Sequence, residues 1–339
     1  MGKGKHLLLA AAAAFGGMVY VNRRVANAYR PIYSELDGEP SIYSWGDGVV
    51  YYHAKGQGQP IVMLHDFGIA ASAYQMKPTY DRLAEEYRVC APDWLGYGLS
   101  TRPAVEHTAA AYVRMLGDFV GEVIKSPAII MAAGPAAAYA VRLAHREPDK
   151  VSHLILLCPT GVERMVAPAS KWQQAARTLL NLPVVGTFVF NLLASKAALR
   201  WDLRHRVFFD PKLVTTEMVE YTWASAHQPG AKWGPISYWT GLLNLPIANE
   251  LGALQQPTMI VWGQQARQTP VEEIQGFKRY RPDARYRAFD RCGQWPQYEA
   301  SRAFSALVRN WLQGKDKGAA AIFPGEVEPE GGTTTTDDC

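Results

Sequence analysis

The sequence predicts an α/β fold: a mostly parallel sheet with helices on both faces and a helical cap inserted over one edge. Three observations carry this. Short apolar runs recur, each closed by a turn: "IVMLHDFG", "YRVCAPDWLGYG", "AIIMAAG", "VSHLILLCPTG", "PTMIVWG" and "ARYRAFDRCG". They read as unalternating strands, the pattern of a sheet buried on both faces. Helical patterns such as "PTYDRLAEE" and "AAAYVRMLGDFVGEVI" separate most of them, as parallel strands require. The rhythm then breaks between Gly161 and Pro257, where Leu, Trp and Ala recur at helical spacing without a strand run.

In chain order, the first element is an apolar run, Leu7 to Val21, flanked by Lys3, Lys5, Arg23 and Arg24. At about 1.5 Å per residue it spans roughly 22 Å, short of the roughly 30 Å hydrocarbon core, although flanking basic side chains can snorkel. Residues 1–24 are expected to form a membrane anchor. A cleaved signal peptide ending at Ala26-Asn27-Ala28 and an acid-poor transit segment are the rival readings. Residues 25–42 read as a linker. "SIYSWGDGVVYYHAKGQGQ" alternates around Gly46-Asp47-Gly48, a hairpin signature. Residues 43–162 and 251–313 are expected to form the core and 163–250 the cap. Within the cap, "LLNLPVVGTFVFNLLA" is unusually apolar. Residues 314–339, rich in Gly, Pro, Thr and acidic groups, read as a disordered tail.

Composition narrows the function classes. The 339 residues are 48% hydrophobic and 19% charged, with a formal net charge of +4, and no basic patch interleaves with aromatics. No nucleic-acid partner is expected. The four cysteines are far apart and read as buried thiols on a reducing side of the membrane. No cluster suggests a metal and no Gly-rich loop a nucleotide, so no cofactor is expected.

The turns carry a resemblance. "MLHDFG" (63–68) resembles the His-Gly-x-Gly turn of the α/β-hydrolase family, with Asp66 in place of the first glycine. "APDWLGYGLS" (91–100) matches the family's Asp-x-x-Gly-x-Gly-x-Ser turn through Asp93, Gly96, Gly98 and Ser100. "CPTG" before a cap and "CGQWPQYE" before a last helix keep the family order, across roughly residues 43 to 313. "SAHQPGAKWGPISYWTGLLNL" is similar to membrane-anchored bacterial members. The resemblance implies the α/β-hydrolase fold and a nucleophile, His and acid at fixed turns, with two backbone N–H groups as the oxyanion hole.

The chain departs from that pattern at every catalytic position. "AAGPA" (132–136) puts Gly134 at the nucleophile and Pro135, which has no N–H, at the second oxyanion donor. The first donor is the N–H of Phe67. Ala266 in "VWGQQARQTP" stands at the acid position and Gln294 in "CGQWPQYE" at the histidine. No histidine follows His227, so a register shift recovers none. In enzymes of this type, loss of the triad costs about 10⁶ in kcat. Cys158, Glu163, His205 and His227 read as structural or solvated groups, and Asp93 and Ser100 as shaping their own turn.

The expectation is therefore a catalytically degenerate, membrane-anchored pseudoenzyme. Its pocket, with His65, Asp66, Phe67 and Trp295 as candidate lining, would bind an apolar small molecule or serve in a membrane-protein complex. The alternative is an esterase- or lipase-like hydrolase with a non-standard catalytic set.

Overall fold

The computed structural model describes residues 2–315. Eight strands form one sheet: β1 (Glu39–Trp45), β2 (Gly48–Lys55), β3 (Pro60–Leu64), β4 (Arg88–Pro92), β5 (Ala128–Ala133), β6 (Val151–Leu157), β7 (Thr258–Gly263) and β8 (Arg285–Phe289), in the order β1-β2-β4-β3-β5-β6-β7-β8. β1 and β2 form the hairpin expected around Gly46-Asp47, closing at Trp45 opposite Gly48, with Gly46 at φ 55°. β2 also runs antiparallel to β4, and every other pairing is parallel. β5 and β7 are buried along their whole length, which is why their sequences do not alternate.

Helices follow in chain order: α1 (Gly2–Asn27), α2 (Lys77–Leu83), α3 (Ala109–Phe119), α4 (Pro135–Arg146), α5 (Lys171–Asn181), α6 (Val185–Leu193), α7 (Lys196–Asp202), α8 (Thr216–Ala226), α9 (Trp233–Trp239), α10 (Ala248–Ala253), α11 (Ile274–Tyr280), α12 (Pro296–Glu299) and α13 (Ser301–Leu312). They cover both faces. On one, Val62, Leu64, Ile130 and Ala132 pack with Tyr112 and Leu116 of α3, Ala137 and Val141 of α4 and Phe277 of α11. On the other, Ile61, Met63, Ile129 and Met131 pack with Tyr80 and Leu83 of α2 and Phe304 and Val308 of α13. Alternate residues of β3 and β5 thus feed opposite cores, each fully buried Leu or Ile contributing roughly 1.5–3 kcal/mol. The alanines of α4 keep that helix close to the sheet.

Strand order positions the site. From β3 the chain crosses through α2 to β4; from β5 it crosses through α4 to β6, on the opposite side of β3 and over the opposite face. The two connections diverge between the carboxyl ends of neighbouring strands. Such a switch point leaves a crevice, the usual ligand site of an open α/β sheet.

Helices α5 to α10 all fall between β6 and β7. α5 carries a capping box in which Ser170 and Gln173 satisfy each other's backbone N–H groups. α10 turns back onto the sheet layer, where Glu250 pairs with Arg142 of α4 at 2.7 Å.

The N-terminal expectation requires correction. Among the described residues no single helix is long and apolar enough to cross a membrane; α5 and α6 pass only as a pair, bent by 101°. The apolar run of α1 covers 15 residues, seven of them Ala or Gly, which add little to transfer. The expected single-pass anchor and membrane location are thus overturned. α1 instead leans on the cap: Asn22 Nδ2 donates to the Val184 carbonyl at 2.9 Å, and Asn191 Nδ2 donates to Asn22 Oδ1 at 3.0 Å. The helix runs to Asn27 and β1 starts at Glu39, so the connection is shorter at both ends than the expected 25–42 linker. Of the expected tail, residues 316–339 lie outside the described residues.

Candidate active site

β3 and β5 are neighbours with Leu64 opposite Ala132, so the turns that leave them meet at the crevice. At the β5 turn, Gly134 holds φ 55° and ψ −128°, a conformation costly for any residue with a Cβ. Its N–H donates to the Leu157 carbonyl at 2.9 Å. Pro135 opens α4 at the first helical turn, where a missing N–H costs nothing. The strained turn of a hydrolase elbow is present without a side chain to use it.

The neighbouring turn fills that space. A Cβ placed on Gly134 would stand 2.3 Å from Asp66 Oδ1 and 2.9 Å from Oδ2. The Asp66 carboxyl therefore occupies the volume into which a residue-134 side chain would project. Asp66 is buried, its N–H donates to Gln75 Oε1 at 3.0 Å, and Oδ1 accepts from the Phe67 N–H at 2.6 Å. Burial raises its pKa from the usual 3.8 to about 7, partly opposed by the Phe67 bond. Phe67 N–H, the remaining oxyanion donor expected from the sequence, is thus engaged by this chain's own carboxyl. The Phe67 ring is held by Trp94, stacked at 5.6 Å, and by Tyr97, Tyr112 and Tyr139.

His65 serves the loop and does not line the cavity, contrary to expectation. Its Nε2 accepts from the Trp94 N–H at 3.1 Å, so the ring proton is on Nδ1, which donates to the Asp66 carbonyl at 2.6 Å. Burial lowers its pKa, and the neutral tautomer fits both bonds; the 3.7 Å approach to Asp93 Oδ1 does not require a charge. Asp93 is itself saturated, accepting from Ala73 N and Leu99 N at 2.7 Å each, and Ser100 Oγ donates to its carbonyl at 2.7 Å.

The other two family positions are also occupied by structural groups. Ala266 packs in the core rather than facing the cavity. Gln294 is buried on the cavity wall, where Oε1 accepts from the Thr269 hydroxyl at 3.2 Å and from its N–H at 3.3 Å. Cys158, at φ 42°, is buried, which pushes its thiol up to about 12. The His205 and His227 rings lie against Trp201 and Trp223, one helical turn earlier. Glu163 lies against Gly276.

Above the turns lies a cavity of ≈ 830 Å³, within the range of small-molecule sites. Asp66, Phe67, Gln75, Gly134 and Pro135 contribute from the sheet side, Thr269, Gln294 and Trp295 from the last turns. Leu199, Leu203, Arg206, Tyr238 and Trp239 contribute from the cap. Arg206 pairs with Asp202 at 3.2 Å. Cap aromatics were expected to line the pocket, and Tyr238 and Trp239 do; which cap residues would do so was not legible, because helical spacing marks an apolar face but not which helix turns it to the cavity. Asp66 was expected to line the pocket, as it does, but was given no chemical role; an acid in a largely apolar turn was the available signal.

The sequence model of the α/β hydrolase fold matches residues 59–301. Among characterised proteins, a 2-hydroxy-6-oxo-6-phenylhexa-2,4-dienoate hydrolase of Burkholderia cepacia is 25% identical over 281 residues, 78% of this chain and 91% of its own. A 2-hydroxymuconate semialdehyde hydrolase of Pseudomonas putida is 27% identical over 280 residues, 78% and 90%. The solved 2-hydroxy-6-oxo-6-phenylhexa-2,4-dienoate hydrolase of Rhodococcus sp. strain RHA1 superposes with a TM-score of 0.67 at 21% identity, over 82% of this chain and 99% of that one. Relatives matched over nearly their whole length are hydrolases, which overturns the expectation of a membrane-anchored binding protein without catalysis. The eight-stranded sheet, the order of its turns and the match over residues 59–301 agree: the chain belongs to the α/β hydrolase fold family.

Proposed function

We propose that this protein hydrolyses a carbonyl compound, an ester or an oxo acid of the kind its relatives' names describe, without a Ser-His-Asp triad. One observation carries the reading: a substrate-sized cavity opens over the strained turn at Gly134 and contains an ionisable carboxyl, Asp66. Gly134, Ala266 and Gln294 rule out the family's covalent route through a serine, because none can attack, shuttle a proton or orient a base. Direct attack by water remains open, and it needs a positioned base rather than a nucleophile. The lining suits a mainly apolar substrate: aromatic and aliphatic side chains dominate, and the cationic members, Arg164 and Arg206, are paired with Glu273 and Asp202.

The test is turnover by the purified chain on two series, p-nitrophenyl esters of increasing acyl length and 2-hydroxy-6-oxo-dienoates followed by loss of their absorbance. Saturable turnover without fluorophosphonate labelling is the expected result. Rates no higher than buffer on both series between pH 6 and 9 would overturn the reading.

A further inference from the structure

Asp66 has a geometry that the fold alone does not require. Its carboxyl is buried beside Gly134, in the volume a residue-134 side chain would take, and it lines the cavity. Oδ1 is fixed by the Phe67 N–H at 2.6 Å, while Oδ2 has no hydrogen-bond partner among the described residues. No Lys or Arg pairs with it among the described residues, so burial acts on the carboxyl without a neutralising charge. Its ionisable neighbours are Tyr97, Tyr139 and Tyr238, all raised above the ordinary tyrosine range, and Cys158, raised to about 12. His65, on the same turn, is held neutral. All five stay uncharged near neutrality, which leaves Asp66 as the group of that cluster able to exchange a proton there.

Resting on the hydrolytic reading above, we propose that Asp66 is the general base of this site, supplied by the turn after β3 in place of the missing elbow nucleophile. In the step, the free Asp66 oxygen takes a proton from water as the water oxygen forms a bond to the carbonyl carbon. The tetrahedral intermediate then collapses. The bond to the leaving group breaks, and Asp66 returns the proton to that group. Water is consumed, acid and alcohol (or the corresponding carbonyl fragment) are released, and the carboxylate is regenerated.

The experiment compares wild type with Asp66→Asn and Asp66→Glu on whichever series turns over. Asn keeps an oxygen for the Phe67 N–H but cannot accept the proton. Expected are a loss of about 100-fold or more in kcat/KM for Asn, consistent with removal of a general base, and partial recovery for Glu. Wild-type kcat/KM should rise with pH through a limb near 7, with a solvent deuterium isotope effect, and the limb should be gone from any Asn residual rate. An Asn variant with wild-type rates, or one that slows but keeps the limb, overturns the role of Asp66 and leaves the hydrolase reading standing. Should Asn fail to fold, the wild-type profile decides: a limb with an isotope effect supports the proposal, and a flat profile overturns it. No turnover by wild type on either series overturns both.

Discussion

Replacing Asp66 by Asn should stabilise the fold above neutral pH, and the size of the effect follows from burial. The carboxyl is buried beside Gly134, with its pKa raised from 3.8 to about 7. A raised acid binds its proton more tightly in the native than in the unfolded state. Its protonated form favours folding, and stability is lost as pH rises from the unfolded value through the folded one. Once fully ionised, the group destabilises the fold by roughly 4 kcal/mol relative to its protonated form. Between pH 5 and pH 8 the loss is about 2.5 kcal/mol, because the unfolded chain is already largely ionised at the lower value. Asn cannot ionise and keeps the acceptor for Phe67, so the difference between variant and wild type should widen by about that amount over the interval. Urea titrations of both proteins at pH 5 and pH 8 measure it directly. A difference unchanged between the two pH values would refute the argument that Asp66 is ionised at a cost in this cavity, independently of any activity.

Four further outcomes follow, three from the same turns and one from the cap. Gly134→Ser should lower the melting temperature and remain unlabelled by fluorophosphonates, since its Cβ would meet Asp66 Oδ1 at 2.3 Å and the backbone sits at φ 55°. Gly134→Ser with Asp66→Gly should recover part of the loss, measured by calorimetry. His65→Ala should cost about 2–4 kcal/mol, because it strands the buried Trp94 N–H and Asp66 carbonyl; denaturant unfolding reads this, and a loss below about 1 kcal/mol would contradict the bonding described. Ala198→Trp, on the cap side of the cavity, should weaken binding of an apolar naphthalene fluorophore with little change in melting temperature.

What the sequence made legible was the buried sheet. Runs such as Ile129-Ile130-Met131 cannot alternate because both of their faces are covered, and that constraint is visible residue by residue. The turn at Gly134 was legible for a similar reason, since small residues must sit where a strand bends sharply into a helix. The role of α1 was not: hydropathy read an apolar stretch between basic residues, whereas a single polar residue, Asn22, fixes the helix to α6 through long-range hydrogen bonds. Nor was the filling of the crevice. The pairing of Leu64 with Ala132 decides that Asp66 meets Gly134, and these residues are 68 positions apart, beyond any local pattern. Family comparison pointed to the positions that had changed and so to inertness, because it examines each position against its own ancestor and not against its neighbour in space.

The divergence of the chain on either side of β3 has one more implication. Where two loops converge on a single point, the backbone there does not dictate which of them must donate a reactive oxygen. A designer could move that atom from one segment to the adjacent one while leaving the scaffold still, provided the vacated position shrinks to glycine.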